Sequence, residues 1–394
     1  MRERMLGRIA GGLAVFVVAL LLVATPAPAI DLGEWVPGLK VSPFISERVE
    51  YESNVFQAPS NAQDDVVSKT IPGILVDYSA GPNSFTFGYR AEILRWADLE
   101  SQDTEHHFVV AQIKLDYPKW LFLARDDFSK TSDPPGTELT GRIESTTNVL
   151  APEFEYRLTE RFSVGANYSW TTVDFEQTVD QLDRDEHLIG GSVFWKFLPR
   201  ADLSLTYNYG EKNFDTATSR DVTRNLVLVG VRGDLTAKLS AKFRLGYESR
   251  EPEQSGLADY NGLVFGGDWT YKPTERTKIS LLLDRSVQES TFASSFFYVS
   301  TTGTLLLEHE FMPKLSANLR LTGGNNDYPT KESVGGSSAK FRNDDLLGWG
   351  AGVVYDIQKW LRVGLEYSHT RRDSNFDTFD FADDKVAGTV TLQF

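Results

Sequence analysis

The chain has 394 residues, a formal net charge of −15 and no cysteine. Its acidic balance argues against nucleic-acid binding, which calls for a basic surface. The lack of cysteine excludes disulfides, thiolate metal sites and export as a lipid-anchored protein.

The first element has the pattern of a secretory leader. A cluster of arginines precedes an apolar run over residues 9–23, and small residues follow up to Ala29. The run is shorter than the ~20 residues that a membrane-spanning helix needs, so a transmembrane anchor is the less favoured alternative. We predict a signal peptide over residues 1–29, cleaved after Ala29, and a short periplasmic segment over residues 30–39.

From residue 40 onward a unit of about forty residues repeats. Each unit has an alternating strand, a tight polar turn, a second alternating strand and a longer acidic loop. In one such strand Phe162, Val164 and Trp170 alternate with small or polar residues. The strands have about 10–14 residues, and a tilted strand needs ~9–11 to cross a membrane.

The repeat predicts the fold class. Eight tight turns, one of them at residues 272–275, join sixteen strands, and flanking strands at 40–55 and 385–394 bring the count to eighteen. We therefore predict an all-β protein: a transmembrane up-and-down antiparallel β-barrel over residues 40–394, with both termini periplasmic. A soluble β-sandwich is the alternative, but it would have shorter strands and no aromatic residues at strand ends.

The last strand alternates up to a terminal Phe394. An aromatic end is typical of the closing strand of an outer-membrane barrel, and it resembles the signal that bacterial barrel-assembly machinery reads. We expect the cell outer membrane of a Gram-negative bacterium as the location. Outer-membrane lipid, lipopolysaccharide and the assembly machinery are the expected partners.

The strand positions opposite the apolar ones carry charges of both signs. The predicted pore-lining residues are Arg48, Glu50, Glu52, Arg90, Glu92, Glu153, Glu155, Arg157, Arg232, Lys242, Arg244, Glu248, Arg250, Arg320, Arg362 and Glu366. Two interpretations stay open: the charges pair across the inner wall, or they form a ladder that selects a charged solute or polymer. None of the outer loops is long enough to plug a wide barrel.

The sequence gives no sign of catalysis. No pair of its five histidines has metal-ligand spacing, and no glycine-rich loop suits a phosphate. The acidic outer loops fit a solvated surface better than calcium sites, because no loop has an ordered ligand spacing. We predict no enzyme activity, no catalytic residue, no metal and no cofactor.

One segment resembles a known family. Tyr51-Glu52-Ser53-Asn54-Val55-Phe56, a loop that ends in acidic residues, and Pro72-Gly73 are similar to the first hairpin of the outer-membrane β-barrel porin 2 family. The matched residues are Tyr51, Asn54, Phe56, Pro72 and Gly73. Glu52 departs from the aspartate that is usual in the family.

The resemblance implies a role beside polysaccharide synthesis. It makes export of an exopolysaccharide or capsular polysaccharide the first expectation, with a periplasmic polysaccharide-export protein and the polysaccharide itself as partners. A general diffusion porin for small hydrophilic solutes and a structural outer-membrane barrel without transport are the alternatives.

Overall fold

The structure is a computed structural model that describes residues 36–134, 142–176, 179–254, 257–290, 296–333 and 338–394. The predicted signal peptide and most of the predicted periplasmic segment lie outside these ranges. Among the described residues, no helix is both long enough and apolar enough to cross a membrane.

Eighteen strands follow one another along the described chain. The first six are β1 Leu39–Glu52, β2 Asp65–Ala80, β3 Asn83–Trp96, β4 Thr104–Asp116, β5 Trp120–Thr131 and β6 Ser145–Arg157. The next six are β7 Phe162–Phe175, β8 Arg184–Leu198, β9 Ala201–Phe214, β10 Val222–Asp234, β11 Leu239–Pro252 and β12 Tyr260–Thr274. The last six are β13 Thr277–Glu289, β14 Phe297–Met312, β15 Leu315–Glu332, β16 Lys340–Gln358, β17 Leu361–Ser374 and β18 Phe381–Gln393.

The sheet closes on itself. Each strand pairs antiparallel with the next, and β1 also pairs with β18, from Phe44 opposite Gln393 to Glu52 opposite Lys385. The predicted all-β antiparallel barrel of eighteen strands is therefore confirmed. The short turns and both described ends of the chain lie at one rim, here called the turn rim, and the longer connections lie at the opposite loop rim. That the turn rim faces the periplasm stays a prediction.

The two faces of the barrel differ sharply. Along each strand the side chains alternate between two faces, and the positions that share a face are here called a register. One register carries large exposed apolar side chains, such as Leu365 at 64% and Ile189 at 60% exposure. The other carries polar contacts between strands that are not neighbours: Asn167 of β7 donates to Asn208 of β9 at 2.9 Å. Such contacts require the concave side, so the polar register faces inward and the apolar register faces outward, as a lipid-facing surface must.

Two boundaries differ from the sequence prediction. The turn expected at residues 272–275 lies two residues later, because the register of β12 against β13 shifts between Tyr271 and Thr274. The irregularity contains Pro273, which has no N–H to give to a regular ladder. The first strand ends at Glu52 rather than at residue 55, because the chain turns at Asn54.

Four connections at the loop rim share one design. Each contains a single 3₁₀ turn, and the aspartate that follows it accepts a hydrogen bond from the backbone N–H of the last residue of the preceding strand. The pairs are Asp103 with Trp96 (2.8 Å), Asp183 with Phe175 (2.7 Å), Asp221 with Phe214 (2.7 Å) and Asp380 with Ser374 (2.6 Å). These loop acids therefore satisfy strand-end amides that would otherwise lack a partner.

Candidate functional site in the barrel lumen

The register places all of the predicted pore-lining residues on the inward face. Arg320, for example, lies opposite Leu306 on β14 and Gly350 on β16, and Glu366 lies opposite Ala387 on β18. Their places along the wall differ, so they form separate groups rather than one continuous ladder.

One group joins β1 to its neighbours at the closure of the barrel. Arg48 pairs with Glu50 at 2.7 Å and with Glu366 at 3.0 Å. Lys69 of β2 also reaches Glu50, at 3.0 Å. Near the loop rim Glu52 is 2% exposed and pairs with Lys385 of β18 at 2.5 Å. The Arg48–Glu366 and Glu52–Lys385 pairs cross the β1–β18 seam, so they bind the two ends of the sheet to each other.

A second group lies on β6, β9 and β10. Arg232 pairs with Glu155 at 2.6 Å and with Asp202 at 3.2 Å, and its guanidinium lies 3.9 Å from the ring centre of Phe194. Arg157 pairs with Asp116 at 2.8 Å, close to the turn rim. Contacts between β6 and β10 cross three intervening strands, so this group fills part of the concave wall.

Smaller pairs occupy the rest of the wall. Arg90 donates to Glu92 at 3.1 Å and lies 4.0 Å from the ring centre of Phe108. Near the loop rim Arg250 pairs with Glu248, and near the turn rim Arg362 pairs with Asp356 at 2.6 Å. Because most of these charges are paired, the wall is polar but has no strong preference for cationic or anionic solutes.

A few inward charges stay unpaired. Within the described ranges, no side-chain ion pair or hydrogen bond involves Glu153, Lys242, Arg244 or Arg320, all of which are exposed on the inner wall. Lys196 of β8, which the sequence analysis did not select, is in the same state. Unpaired side chains of this kind are the ones free to meet a solute.

The wall splits between β12 and β13. Their pairing runs from the turn rim only as far as Phe265 opposite Arg285. Beyond that point Arg285 Nε donates to the carbonyl oxygen of Leu263 at 3.2 Å, and the described residues of β12 and β13 form no further ladder pair. The outer ends of β13 and β14 are thereby released from the wall formed by β12.

The released ends lie inside the barrel. Val287 and Val299 belong to the outward register, yet both are buried in one apolar cluster with inward residues of the neighbouring wall. Those partners are Leu226, Leu228, Tyr260 and Val264 of β10 and β12. The outward face of β13 and β14 therefore packs on the inward face of β10–β12. We call the ends of these two strands, residues 286–290 and 296–300, the inner flap.

Charged groups fasten the inner flap to the wall. Lys212 of β9 is 5% exposed and pairs with Glu289 of the flap at 2.5 Å and with Glu186 of β8 at 3.1 Å. Arg250 of β11 donates to the carbonyl oxygen of Val287 at 3.0 Å. Moving the flap would separate these groups and leave buried charges without a partner, which is energetically costly. The pairs therefore hold the flap in one position.

The connection between β9 and β10 adds a further contact to the flap. Arg220, in its 3₁₀ turn, donates to the carbonyl oxygen of Phe296 at 3.1 Å and lies 4.8 Å from the centre of that ring. The sequence-based prediction considered only the outer loops, none of which is long enough to plug the barrel; it did not anticipate that the ends of two strands would pack on the inner wall and narrow the lumen.

The first hairpin of the family resemblance covers another part of the inner wall. Val55 is fully buried in a cluster with Val67, Leu94 and Trp96, and Phe56 packs against that cluster. Val67, Leu94 and Trp96 belong to the inward register of β2 and β3. The connection after β1 therefore also folds inward.

Two residues of the resemblance fix this connection. Asn54 Nδ2 donates to the carbonyl oxygen of Ala58 at 2.9 Å, and Asn54 Oδ1 accepts from the Ala58 N–H at 2.8 Å. The Asn54 N–H donates to Asp383 of β18 at 3.0 Å. Tyr51 Oη donates to Asp64 at 3.3 Å at the other end of the loop. The motif thus closes a loop and ties it to the last strand.

The Pro-Gly pair of the resemblance has a packing role. The ladder between β2 and β3 is interrupted at Pro72, between Thr70 and Gly73. A Cβ atom on Gly73 would lie 2.3 Å from Cζ of Phe44, so the ring of Phe44 occupies the space that any larger residue would need.

The family match decides the assignment. The family model described as "Putative beta-barrel porin 2" matches residues 30–394, which is most of the chain and includes every strand of the ring. The chain belongs to this family. It is an outer-membrane β-barrel porin, a channel protein rather than an enzyme. No curated protein matches the sequence of the porin.

Several solved outer-membrane proteins are similar to the porin. OpdK of Pseudomonas aeruginosa is 11% identical, with a TM-score of 0.49, and the match covers 90% of this chain and 99% of that one. OccAB3 of Acinetobacter baumannii is 12% identical, with a TM-score of 0.47 and the same coverage. OpdQ of Pseudomonas aeruginosa is also 12% identical, with a TM-score of 0.45, and covers 90% and 98%.

Of the charged residues that fasten the inner flap to the wall, Lys212, Glu186 and Glu289 were not selected from the sequence. Lys212 and Glu186 share the inward parity of the residues that were selected, so strand alternation could have found them. Glu289 could not be found in this way, because its register is the outward one and only the split between β12 and β13 brings it inside.

Proposed function

We propose that the porin is a diffusion channel for small hydrophilic solutes. The observation that supports this most directly is the inner flap, which is fastened across the inner face of β9–β12 and narrows an otherwise wide ring. An eighteen-stranded barrel without such a segment encloses an aqueous lumen, so the flap and the first connection set the free passage.

The chemistry of the wall agrees with diffusion. Most inward charges are paired with neighbours, and hydroxyl and amide groups lie between them. A solute can exchange hydrogen bonds with such a wall without being held tightly, which conduction requires. The unpaired cations add weak, local attraction for anions.

Export of a long polysaccharide is the rival prediction, together with its periplasmic export protein. Every unit of a long polymer would have to pass the inner flap in turn. Buried ion pairs and an apolar cluster oppose displacement of the flap. The fastened flap therefore favours small solutes over a polymer. Polysaccharide export is supported only by the family resemblance.

Reconstitution tests the proposal. Purified porin is placed in liposomes, and swelling is followed in sugars of increasing size, from a pentose to a hexasaccharide. We expect rates that fall steeply with size, and bilayer conductance that a long polysaccharide does not block. Release of a long polysaccharide from loaded liposomes, at a rate close to that of a disaccharide, would instead support export. Liposomes without porin give the background.

A further inference from the structure

A cavity of about 410 Å³ lies in the inner wall formed by β14–β18 and β1. Three arginines line it, Arg48, Arg320 and Arg362, together with Glu308, Glu366 and Asn318. It lies towards the turn rim, on a part of the wall that the inner flap does not cover. We call it the arginine niche.

The arginine niche is concave because side chains are missing from its floor. Gly352 of β16 and Gly364 of β17 both belong to the inward register and line the niche. A Cβ atom on Gly364 would meet nothing nearer than 3.8 Å. At Gly352 the Asn318 amide occupies this space, because a Cβ atom there would lie 2.9 Å from Asn318 Nδ2. The floor is therefore open to a solute at Gly364 and is closed by a hydrogen-bonding group at Gly352.

The charges of the niche do not cancel. Glu366 is paired with Arg48, and Glu308 is paired with Lys278 at 2.7 Å. Arg48 also meets Glu50, and Arg362 meets Asp356. Both acids of the niche thus have a cationic partner, and within the described ranges Arg320 has no anionic one. One positive charge is left over.

Neutral hydrogen-bonding groups surround this charge. The Asn318 amide and the hydroxyls of Thr389 and Thr391 line the same cavity. A guanidinium binds a carboxylate through two parallel hydrogen bonds, and hydroxyl and amide groups suit the hydroxyls of a sugar. We propose that the arginine niche is a weak binding site for a monoanionic, hydroxylated solute such as a sugar acid, with Arg320 holding the carboxylate.

The inference rests on the proposed diffusion channel and names the solutes that it favours. Its test is block of single-channel current by galacturonate, with galactose as the uncharged counterpart. We expect galacturonate to reduce the current at concentrations where galactose has no effect. Arg320→Gln should raise the half-blocking concentration about tenfold or more, the size expected for loss of a hydrogen bond between charged groups.

Two matched controls separate a site from the general field of the lumen. Arg244→Gln removes another exposed, unpaired inward cation outside the niche, so it takes away only weak general attraction for anions and should change block by galacturonate far less than Arg320→Gln does. Gly364→Leu fills the niche without changing charge and should weaken block, whereas Gly323→Leu, on the outward face with nothing within 4 Å of its Cβ, should not. Equal effects of Arg244→Gln and Arg320→Gln, or equal block by galactose, would overturn the proposal.

A calorimetric titration of galacturonate into detergent-solubilised porin does not depend on conduction. Binding that Arg320→Gln abolishes, in a porin that conducts no ions, would support the niche and overturn only the diffusion channel. Free conduction with no galacturonate binding by either method would overturn the niche and leave the channel in place.

Discussion

Single residues in this porin act mainly by leaving room or by closing a loop. Gly73 leaves the space that the ring of Phe44 occupies, and Gly364 leaves the floor of the arginine niche open. Asn54 uses its side chain to close the connection after β1 on Ala58. The residues of the family resemblance therefore have structural explanations that do not depend on what the porin transports.

The consequence can be measured at Gly73. In Gly73→Ala the new Cβ would lie 2.3 Å from Phe44 Cζ and 2.8 Å from the carbonyl oxygen of Tyr89. Because a backbone atom cannot move aside cheaply, we expect a loss of about 1–3 kcal/mol in the free energy of unfolding. Urea unfolding of the porin in detergent measures it. Gly323→Ala, which meets nothing within 4 Å, should be neutral, and equal midpoints for the two variants would refute the packing role.

At the scale of elements, alternation predicted the strands well. Water on one face and lipid on the other require opposite side chains at successive positions, so residues such as Leu203, Leu205 and Tyr207 mark a strand without further information. Alternation could not show that the ends of β13 and β14 lie inside the barrel. Val287 is apolar and on the outward parity, and that pattern fits lipid contact as well as packing on Leu228.

The loop-rim connections were described from the sequence only as acidic. Their repeated aspartates have a local cause, because each accepts from the amide of a strand end. The signal was present as an aspartate six to eight residues after the last strand residue, as in Asp103 after Trp96 and Asp183 after Phe175. It could not be recognised while the strand ends were known only approximately.

This role of the aspartates predicts a local effect. Asp221→Ala removes the acceptor of the Phe214 N–H, which now bonds at 2.7 Å. A strand-end amide without a partner opens more often, by an amount near that of a lost helix cap, about 1 kcal/mol. Hydrogen exchange of the peptide around Phe214 should therefore accelerate several-fold. Asp215→Ala is the control, because the Asp215 side chain makes no hydrogen bond or ion pair in the described chain, and exchange around Phe214 should not change in this variant. Unchanged exchange in Asp221→Ala as well would contradict the proposed role of the aspartate.

The whole molecule is a closed ring whose inner face is partly covered by its own chain. Closure is set by register: β1 meets β18 over a continuous ladder, and ion pairs such as Glu52 with Lys385 lie across that seam. On the proposed function, the passage is set instead by the inner flap and the connection after β1, both of which pack on the inner wall. Strand number alone therefore overstates the open lumen, and the free passage depends on a small number of buried contacts.

The inner flap gives the sharpest prediction at this scale. Glu289→Lys would bring three cations together, because Glu289 now lies 2.5 Å from Lys212 and 3.4 Å from Arg250. Breaking a buried pair costs about 3–5 kcal/mol, which is enough to shift the position of the flap almost completely. We expect a higher single-channel conductance, and liposome swelling that extends to larger sugars.

The variant must be shown to be folded, and migration as a compact barrel on unheated gels provides that check. Asp234→Asn is the matched control, since it breaks the exposed Arg200–Asp234 pair at the turn rim, 2.9 Å long, without touching the flap. Its conductance and size cut-off should equal those of the native porin. If folded Glu289→Lys also kept the native conductance and cut-off, the flap would not be the element that limits passage, and the diffusion limit would have to lie elsewhere in the lumen.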